Sequence, residues 1–61
     1  MDGIELLQLR RRADLAQYEL AQRLGVPQTV VCDLERGRRP VTPEWERRIL
    51  RVINEKAKIE A

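Results

Sequence analysis

Polar side chains at the start of one predicted helix are the residues of this sequence best suited to recognising another molecule. Gln28 and Thr29 directly follow Pro27, and Asp33 lies about one helical turn beyond Thr29. An amide, a hydroxyl and a carboxylate can all form hydrogen bonds to the polar edge of a ligand. The types and spacing of these residues therefore favour recognition by hydrogen bonds.

The composition argues against an enzyme and against a metal protein. The 61 residues include no histidine and no serine, and Cys32 is the single cysteine. One thiol without histidine makes neither a zinc site nor a disulfide, and no paired acids are spaced to line a pocket. We therefore expect no catalytic residue, no metal, no cofactor and no small-molecule substrate, and we expect a reducing, cytoplasmic setting.

The positive charge comes almost entirely from arginine. Ten of the twelve basic residues are arginine, although the net charge is +2. A planar guanidinium suits phosphate oxygens and guanine edges better than an ammonium group does, so the composition leans mildly toward nucleic acid. A solvated arginine face on a helix is the alternative. No apolar run is long enough to cross a bilayer and no secretory signal is apparent, so no membrane association is expected.

Apolar residues recur at helical spacing in four segments. The predicted helices cover residues 3–13, 17–24, 27–36 and one continuous stretch from 43 onward. Gly25 and Gly37 follow the second and third segments, where a left-handed residue would end a helix. Asp2 and Thr42 are the predicted N-caps of the first and fourth. We interpret the chain as one all-α domain over residues 1–61.

One apolar stripe from each helix forms the predicted core. Its members are Leu6, Leu9, Leu15, Leu20, Ala21, Leu24, Val31, Leu34 and Trp45. Ile49, Val52 and Ile53 either join Trp45 in this core, or Ile49 and Val52 face a second subunit together with Ile59. The second alternative is favoured, because the fourth helix would otherwise expose an apolar face.

The second and third helices are separated by Gly25-Val26 and must meet at a sharp angle, as in a helix-turn-helix. The informative string is Leu9-Arg10, Leu15, Gln17, Leu20-Ala21, Leu24-Gly25-Val26, Val31, Leu34-Glu35 and Gly37. It resembles the phage repressor and Cro family, also called the XRE family, over more than half of the chain. The resemblance implies a small, four- to five-helix, lambda-repressor-like domain with its helix-turn-helix at helices 2 and 3. It further implies a bacterial, phage or plasmid-encoded homodimer that binds a palindromic operator in double-stranded DNA, usually as a repressor.

The resemblance assigns base reading in the major groove to the third helix. The residues concerned are Gln28, Thr29, Asp33, Cys32 and Val30. A glutamine amide pairs with adenine N6 and N7, a threonine methyl packs against thymine, and a carboxylate accepts from cytosine N4. Asp33 would also repel phosphates, so it would discriminate against sites more than bind them. The alternative is that all five residues form the solvated side of a helix.

Phosphate contacts are implied at helix ends and in the loop after the third helix. The residues concerned are Gln17, Arg36, Arg38, Arg39 and Arg11. Free N–H groups at the start of a helix favour an anion beside Gln17, and loop arginines can grip phosphate or enter a narrow minor groove. A solvated basic loop is the alternative. Arg10 and Glu35 would form a partly buried ion pair between the first and third helices.

The sequence departs from the family after Thr42. Family members commonly have a short fourth helix and then a fifth, whereas this chain predicts one continuous helix, so the family's dimer geometry cannot be carried over. An antitoxin or another protein-interaction module is a competing function. Antitoxins of this family usually carry an extra segment that wraps the toxin, and residues 54–61 are short by comparison.

Overall fold

The computed structural model describes the backbone of residues 1–60 and the side chains of residues 1–58. It contains four helices: α1 (Gly3–Arg12), α2 (Gln17–Leu24), α3 (Gln28–Arg36) and α4 (Pro43–Glu60). All regular structure in this part of the chain is helical, which confirms the predicted fold class. The α4 helix is continuous, as its sequence predicts.

Side chains before the helices satisfy backbone N–H groups that have no partner within the helix. The Asp2 carboxylate accepts from the N–H of Glu5 at 2.8 Å, and the Thr42 hydroxyl accepts from the N–H of Trp45 at 3.3 Å. The third helix corrects a prediction, because Pro27 is its N-cap and not its first helical residue. Pro27 has φ −64° and ψ 150°, so its backbone is still extended.

Glycine ends both helices of the predicted helix-turn-helix. Gly25 has φ 74° and Gly37 has φ 80°, a region that side chains with a Cβ rarely adopt. The N–H of Val26 donates to the carbonyl of Ala21 at 3.0 Å, which closes the end of α2 and starts the turn. The turn therefore changes the chain direction within three residues, from Gly25 to Pro27, before α3 starts.

All four helices contribute to one apolar core. The buried residues are Leu6, Leu15, Leu20, Ala21, Leu24, Val31, Leu34, Ile49 and Val52. Two core predictions need adjustment, because Trp45 is only partly buried against this cluster and Leu9 is only half-buried.

The prediction that Ile49 and Val52 face a second subunit is wrong. Ile49 is 0% exposed and Val52 is 7% exposed within a single chain. Because α4 contacts α2, the stripe at positions 45, 49 and 52 packs in or against the chain's own core. The side chain of Ile59, assigned to the same surface, lies outside the described residues.

The Arg48 side chain attaches α4 to the end of α2. The Arg48 guanidinium donates to the last carbonyl of α2, that of Leu24, at 2.7 Å. The same guanidinium lies 4.7 Å from the centre of the Trp45 ring. A cation at a helix C-terminus and over an aromatic face is favourable on both counts. Arg48 therefore fixes the end of α2 next to the turn.

The amino group of Met1 lies 2.9 Å from the carboxylate of Glu46, near the start of α4. The hydrogen bond to Glu46 and the negative charge of that carboxylate raise the pKa of the amino group above its ordinary value of 8.0. The contact holds while the amino group is protonated, so it weakens as the pH rises through the raised pKa.

Gly3 allows α1 to approach the end of α3 closely. A Cβ at this position would lie 2.5 Å from the carbonyl oxygens of both Leu34 and Glu35. Both atoms belong to the backbone, so they cannot move aside as a flexible side chain can. The absence of a side chain at Gly3 thus determines how near α1 lies to the helix that carries the candidate base-reading residues.

We predict that Gly3→Ala destabilises the fold by about 1–3 kcal/mol, because the added methyl group overpacks this crossing. Gly37→Ala is the matched control, since nothing lies within 4 Å of its added Cβ and its cost comes from the positive φ alone. Urea denaturation would measure both. Asparagine tolerates a positive φ, so Gly37→Asn should cost less than Gly37→Ala, whereas Gly3→Asn should cost more than Gly3→Ala. Equal stability of wild type and Gly3→Ala would contradict the prediction.

Candidate nucleic-acid interface

The orientation of α3 follows from its two buried residues, Val31 and Leu34, which are fully inaccessible. At about 100° per residue, Thr29 and Arg36 lie opposite the middle of this stripe. Thr29 and Arg36 are accordingly exposed. Packing of one stripe on α2 and α1 therefore presents the opposite side of α3 to the surroundings.

The five candidate base-reading residues occupy three kinds of position on α3. Gln28 and Thr29 are exposed in the first turn, beside the N-terminus of the helix. Asp33 and Cys32 are half-buried further along the outer side. Val30 is half-buried and packs against the core. The first turn of α3 is thus its most accessible polar part.

Arg10 and Glu35 form a bidentate ion pair between α1 and α3. Arg10 Nε lies 2.6 Å from Glu35 Oε2, and Arg10 Nη2 lies 3.2 Å from Glu35 Oε1. The third guanidinium nitrogen, Nη1, donates to the carbonyl of Leu15 at 2.8 Å. The two side chains are 11% and 4% exposed. This single guanidinium therefore joins α1, the loop before α2, and α3.

The same carboxylate reaches the start of α2 and, through it, the start of α3. Gln17 Nε2 donates to Glu35 Oε1 at 2.9 Å. Gln28 Nε2 donates in turn to Gln17 Oε1 at 3.3 Å. Gln17 was predicted from the sequence as a phosphate contact, and its amide is already engaged on both sides within the chain. The first residues of α2 and α3 are thus held together by a chain of hydrogen bonds that ends on Arg10.

The loop after α3 folds back on Asp33. The backbone N–H groups of Arg38 and Arg39 donate to the carbonyl of Asp33 at 2.9 and 3.3 Å. The Arg38 guanidinium lies 3.8 Å from the Asp33 carboxylate, a loose and largely exposed contact. Arg36, Arg38 and Arg39 are all exposed. Three arginine side chains therefore lie beside the end of α3. Hydrogen bonds fix the backbone of the loop that carries two of them.

Arg11, the remaining predicted phosphate contact, is exposed near the end of α1. It lines a shallow depression with Ala16 and Glu19, at the N-terminal end of α2. Asp14 in the intervening loop has φ 58°, an uncommon conformation for a residue other than glycine. The loop thus brings Arg11 near the same helix end as Gln17.

Residues 3–55 match a protein family described as a helix-turn-helix domain. The chain belongs to this helix-turn-helix family. The match covers α1, α2 and α3 completely and extends into α4, so α2, the Gly25 turn and α3 form the helix-turn-helix. No curated protein and no solved structure gives a significant match.

Family membership makes DNA the expected partner, since in this motif the second helix enters the major groove. Helix-turn-helix domains are typically non-enzymatic. In the part of the chain that the structure describes, no three histidine, cysteine or acidic residues come together as a metal site. No described helix is long and apolar enough to span a membrane.

Three positioning contacts were missed by reasoning from the sequence: the close approach at Gly3, the attachment of Arg48 to α2, and the hydrogen bond from Gln17 to Glu35. Each joins residues that are distant in the chain, and none follows from helical spacing. The sequence carries a weak signal for the position of Arg48 alone. Arg48 follows Trp45 by three residues on the same helix, so its guanidinium can stack on the Trp45 ring.

We predict that Arg10→Met destabilises the domain by roughly 3–5 kcal/mol, because it leaves Glu35 charged, nearly buried and deprived of two hydrogen bonds. Arg38→Met is the matched control and should cost roughly 0–1 kcal/mol, since its pair with Asp33 is long and exposed. Denaturant midpoints of the two variants would give the comparison. Equal losses of stability in Arg10→Met and Arg38→Met would show that the buried pair contributes no more to the fold than the exposed one.

Proposed function

We propose that this protein is a sequence-specific regulator of transcription that binds double-stranded DNA with α3 in the major groove, as its resemblance to the phage repressor and Cro family implies. One observation carries the proposal above the others. In a chain of the helix-turn-helix family, the exposed amide of Gln28 at the start of α3 is oriented by a hydrogen bond to Gln17 at 3.3 Å. A polar group fixed in that way suits a role in reading base edges.

Base reading is assigned to the first turn and outer side of α3. The Gln28 amide would pair with adenine, and Thr29 would contact a base edge or a thymine methyl group. Asp33 would accept from cytosine and reject sites that bring a phosphate or an acceptor near it. Cys32 and Val30 flank this surface and would add apolar contact at its edge.

Phosphate contacts are assigned to both ends of the motif. Arg36, Arg38 and Arg39 would bind the DNA backbone beside the end of α3, and Arg11 would do so near α2. The Gln17 amide already forms hydrogen bonds with Glu35 and Gln28. Free backbone N–H groups at the start of α2 would therefore also hold the DNA phosphate that binds there.

A repressor of this kind would act as a homodimer on a palindrome, with half-sites about 34 Å apart, and would exclude polymerase from a promoter. Burial of Ile49 and Val52 removes them from the subunit interface. Among the described residues, Leu50 on α4 is 37% exposed, and Ile53 beside it is half-buried. This side of α4 is the part of the helix that a second subunit would cover. No catalytic role is proposed.

Selection of bound duplexes from a random DNA library at physiological salt tests the proposal. The wild-type protein should enrich a palindrome, and Gln28→Ala and Thr29→Ala should each relax one position of every half-site by about 1–3 kcal/mol. Gln22→Ala is the control, because it makes the same glutamine-to-alanine exchange at an exposed position of α2. A folded wild-type protein that enriches no sequence would exclude sequence-specific binding to DNA.

Arg38→Ala and Arg39→Ala should weaken binding to all sequences alike, because phosphate contacts carry no base information. Each should also lower the slope of log affinity against log salt concentration by about one. Arg47→Ala is the matched control, an exposed arginine on α4 and outside the loop after α3. Fluorescence anisotropy over a salt series would measure these slopes. An unchanged slope in both loop variants would remove the loop from the DNA interface.

A further inference from the structure

We infer that four exposed arginines on α2 and α4 form a binding surface for an acidic segment of another protein. They are Arg23, near the end of α2, and Arg47, Arg48 and Arg51 on α4, and we call them the arginine surface. None of them is among the residues assigned to base reading or to phosphate contact. The surface therefore concerns a second partner, and its test needs no DNA.

Helical spacing and one hydrogen bond bring these four side chains together. At about 100° per residue, Arg51 lies between the directions of Arg47 and Arg48 on α4. The Arg48 guanidinium donates to the carbonyl of Leu24 at 2.7 Å, which places the end of α2, and with it Arg23, beside this side of α4. Two shallow depressions result, and Arg48 and Arg51 line both of them. The arginine surface is therefore continuous across the two helices.

The positive charge of the arginine surface is not neutralised within the described part of the chain. None of the ion pairs there includes Arg23, Arg47, Arg48 or Arg51. Glu44 lines one of the two depressions but forms no ion pair with these arginines. Neighbouring like charges repel, and each guanidinium can hold a carboxylate through two parallel hydrogen bonds. The surface is thus complementary in charge to a group of carboxylates on a partner.

The depression between α2 and α4 favours a protein side chain over a phosphate or a small molecule. Arg23, Arg48 and Arg51 line it together with Leu24 and Val52, which are each 7% exposed. Its volume is about 160 Å³, whereas sites for small molecules have roughly 300–1,000 Å³. A glutamate can pack its methylene groups on Leu24 and Val52 and present its carboxylate to the guanidiniums. A phosphate has no apolar part for this contact.

The test titrates the protein with a synthetic helical peptide of glutamate, leucine and alanine whose glutamates recur at i and i+4. The backbone amide resonances of residues 23–24 and 47–52 should shift. The same peptide with glutamine in place of glutamate should bind on the order of 10- to 100-fold more weakly, because several charge-assisted pairs are lost together. With aspartate the affinity should fall about two- to fivefold, because one methylene group fewer packs on the apolar floor of the depression.

Arg23→Ala, Arg47→Ala and Arg51→Ala should each lower the affinity for the glutamate peptide about two- to fivefold, and the triple variant on the order of 10- to 100-fold. These three side chains are exposed, so the variants should unfold at the same temperature as the wild type. Arg48 is left unchanged, because it also holds the end of α2. Arg12→Ala is the matched control, an exposed arginine at the end of α1, and should bind the peptide as the wild type does.

Inorganic tripolyphosphate and a duplex DNA of random sequence identify the alternative partners. If either shifts the same resonances more strongly than the glutamate peptide at equal concentration of negative charge, the surface binds phosphate and the inference is wrong. Equal affinity of the wild type and the triple variant for the peptide would also overturn it. The two partners are separable in Arg47→Ala, which should lose peptide affinity and keep the salt dependence of DNA binding. Failure of sequence-specific DNA binding would leave the peptide result unaffected.

Discussion

The Glu35 carboxylate is the polar group on which the relative positions of α1, α2 and α3 depend. It accepts from Arg10 on α1 and from Gln17 on α2, and it lies on α3 itself. Apolar packing alone permits small rotations of a helix, because it has no preferred direction. Hydrogen bonds to a nearly buried carboxylate do have one, and Arg10 also anchors the loop carbonyl of Leu15. In a chain of 61 residues with a small core, these few directional contacts fix the relative positions of three helices.

Two glycines make this arrangement sterically possible, for different physical reasons. Gly25 adopts a left-handed conformation, which ends α2 and lets α3 begin within three residues. Gly3 has no positive φ, and its importance is that a Cβ would collide with the carbonyl oxygens of Leu34 and Glu35. Because Glu35 is in that same turn of α3, the close approach of α1 also brings Arg10 within reach of its carboxylate. The close contact at Gly3 and the Arg10–Glu35 ion pair therefore both depend on the same approach of α1 to α3.

Local features of the fold could be predicted from the sequence, and contacts between distant segments could not. The caps at Asp2 and Thr42 and the ends at Gly25 and Gly37 depend on a few neighbouring residues, so spacing and residue type sufficed. Which surface the Ile49–Val52 stripe faces depends on where α4 lies. The sequence predicted a contact with a second subunit, whereas the structure buries both residues in the chain's own core. The Arg10–Glu35 pairing came from resemblance to a known family, whereas the hydrogen bond from Gln17 to Glu35 became apparent only from the crossing of the helices.

The charges of this chain favour local contacts with a polyanion over long-range attraction. A net charge of +2 gives little long-range attraction to DNA, and screening at physiological salt limits each charge to about 8 Å. The arginines after α3 therefore act locally, and one of them lies beside Asp33, whose carboxylate opposes the phosphates. The long, exposed contact between Arg38 and Asp33 contributes little, so a phosphate would take Arg38 from Asp33 at small cost.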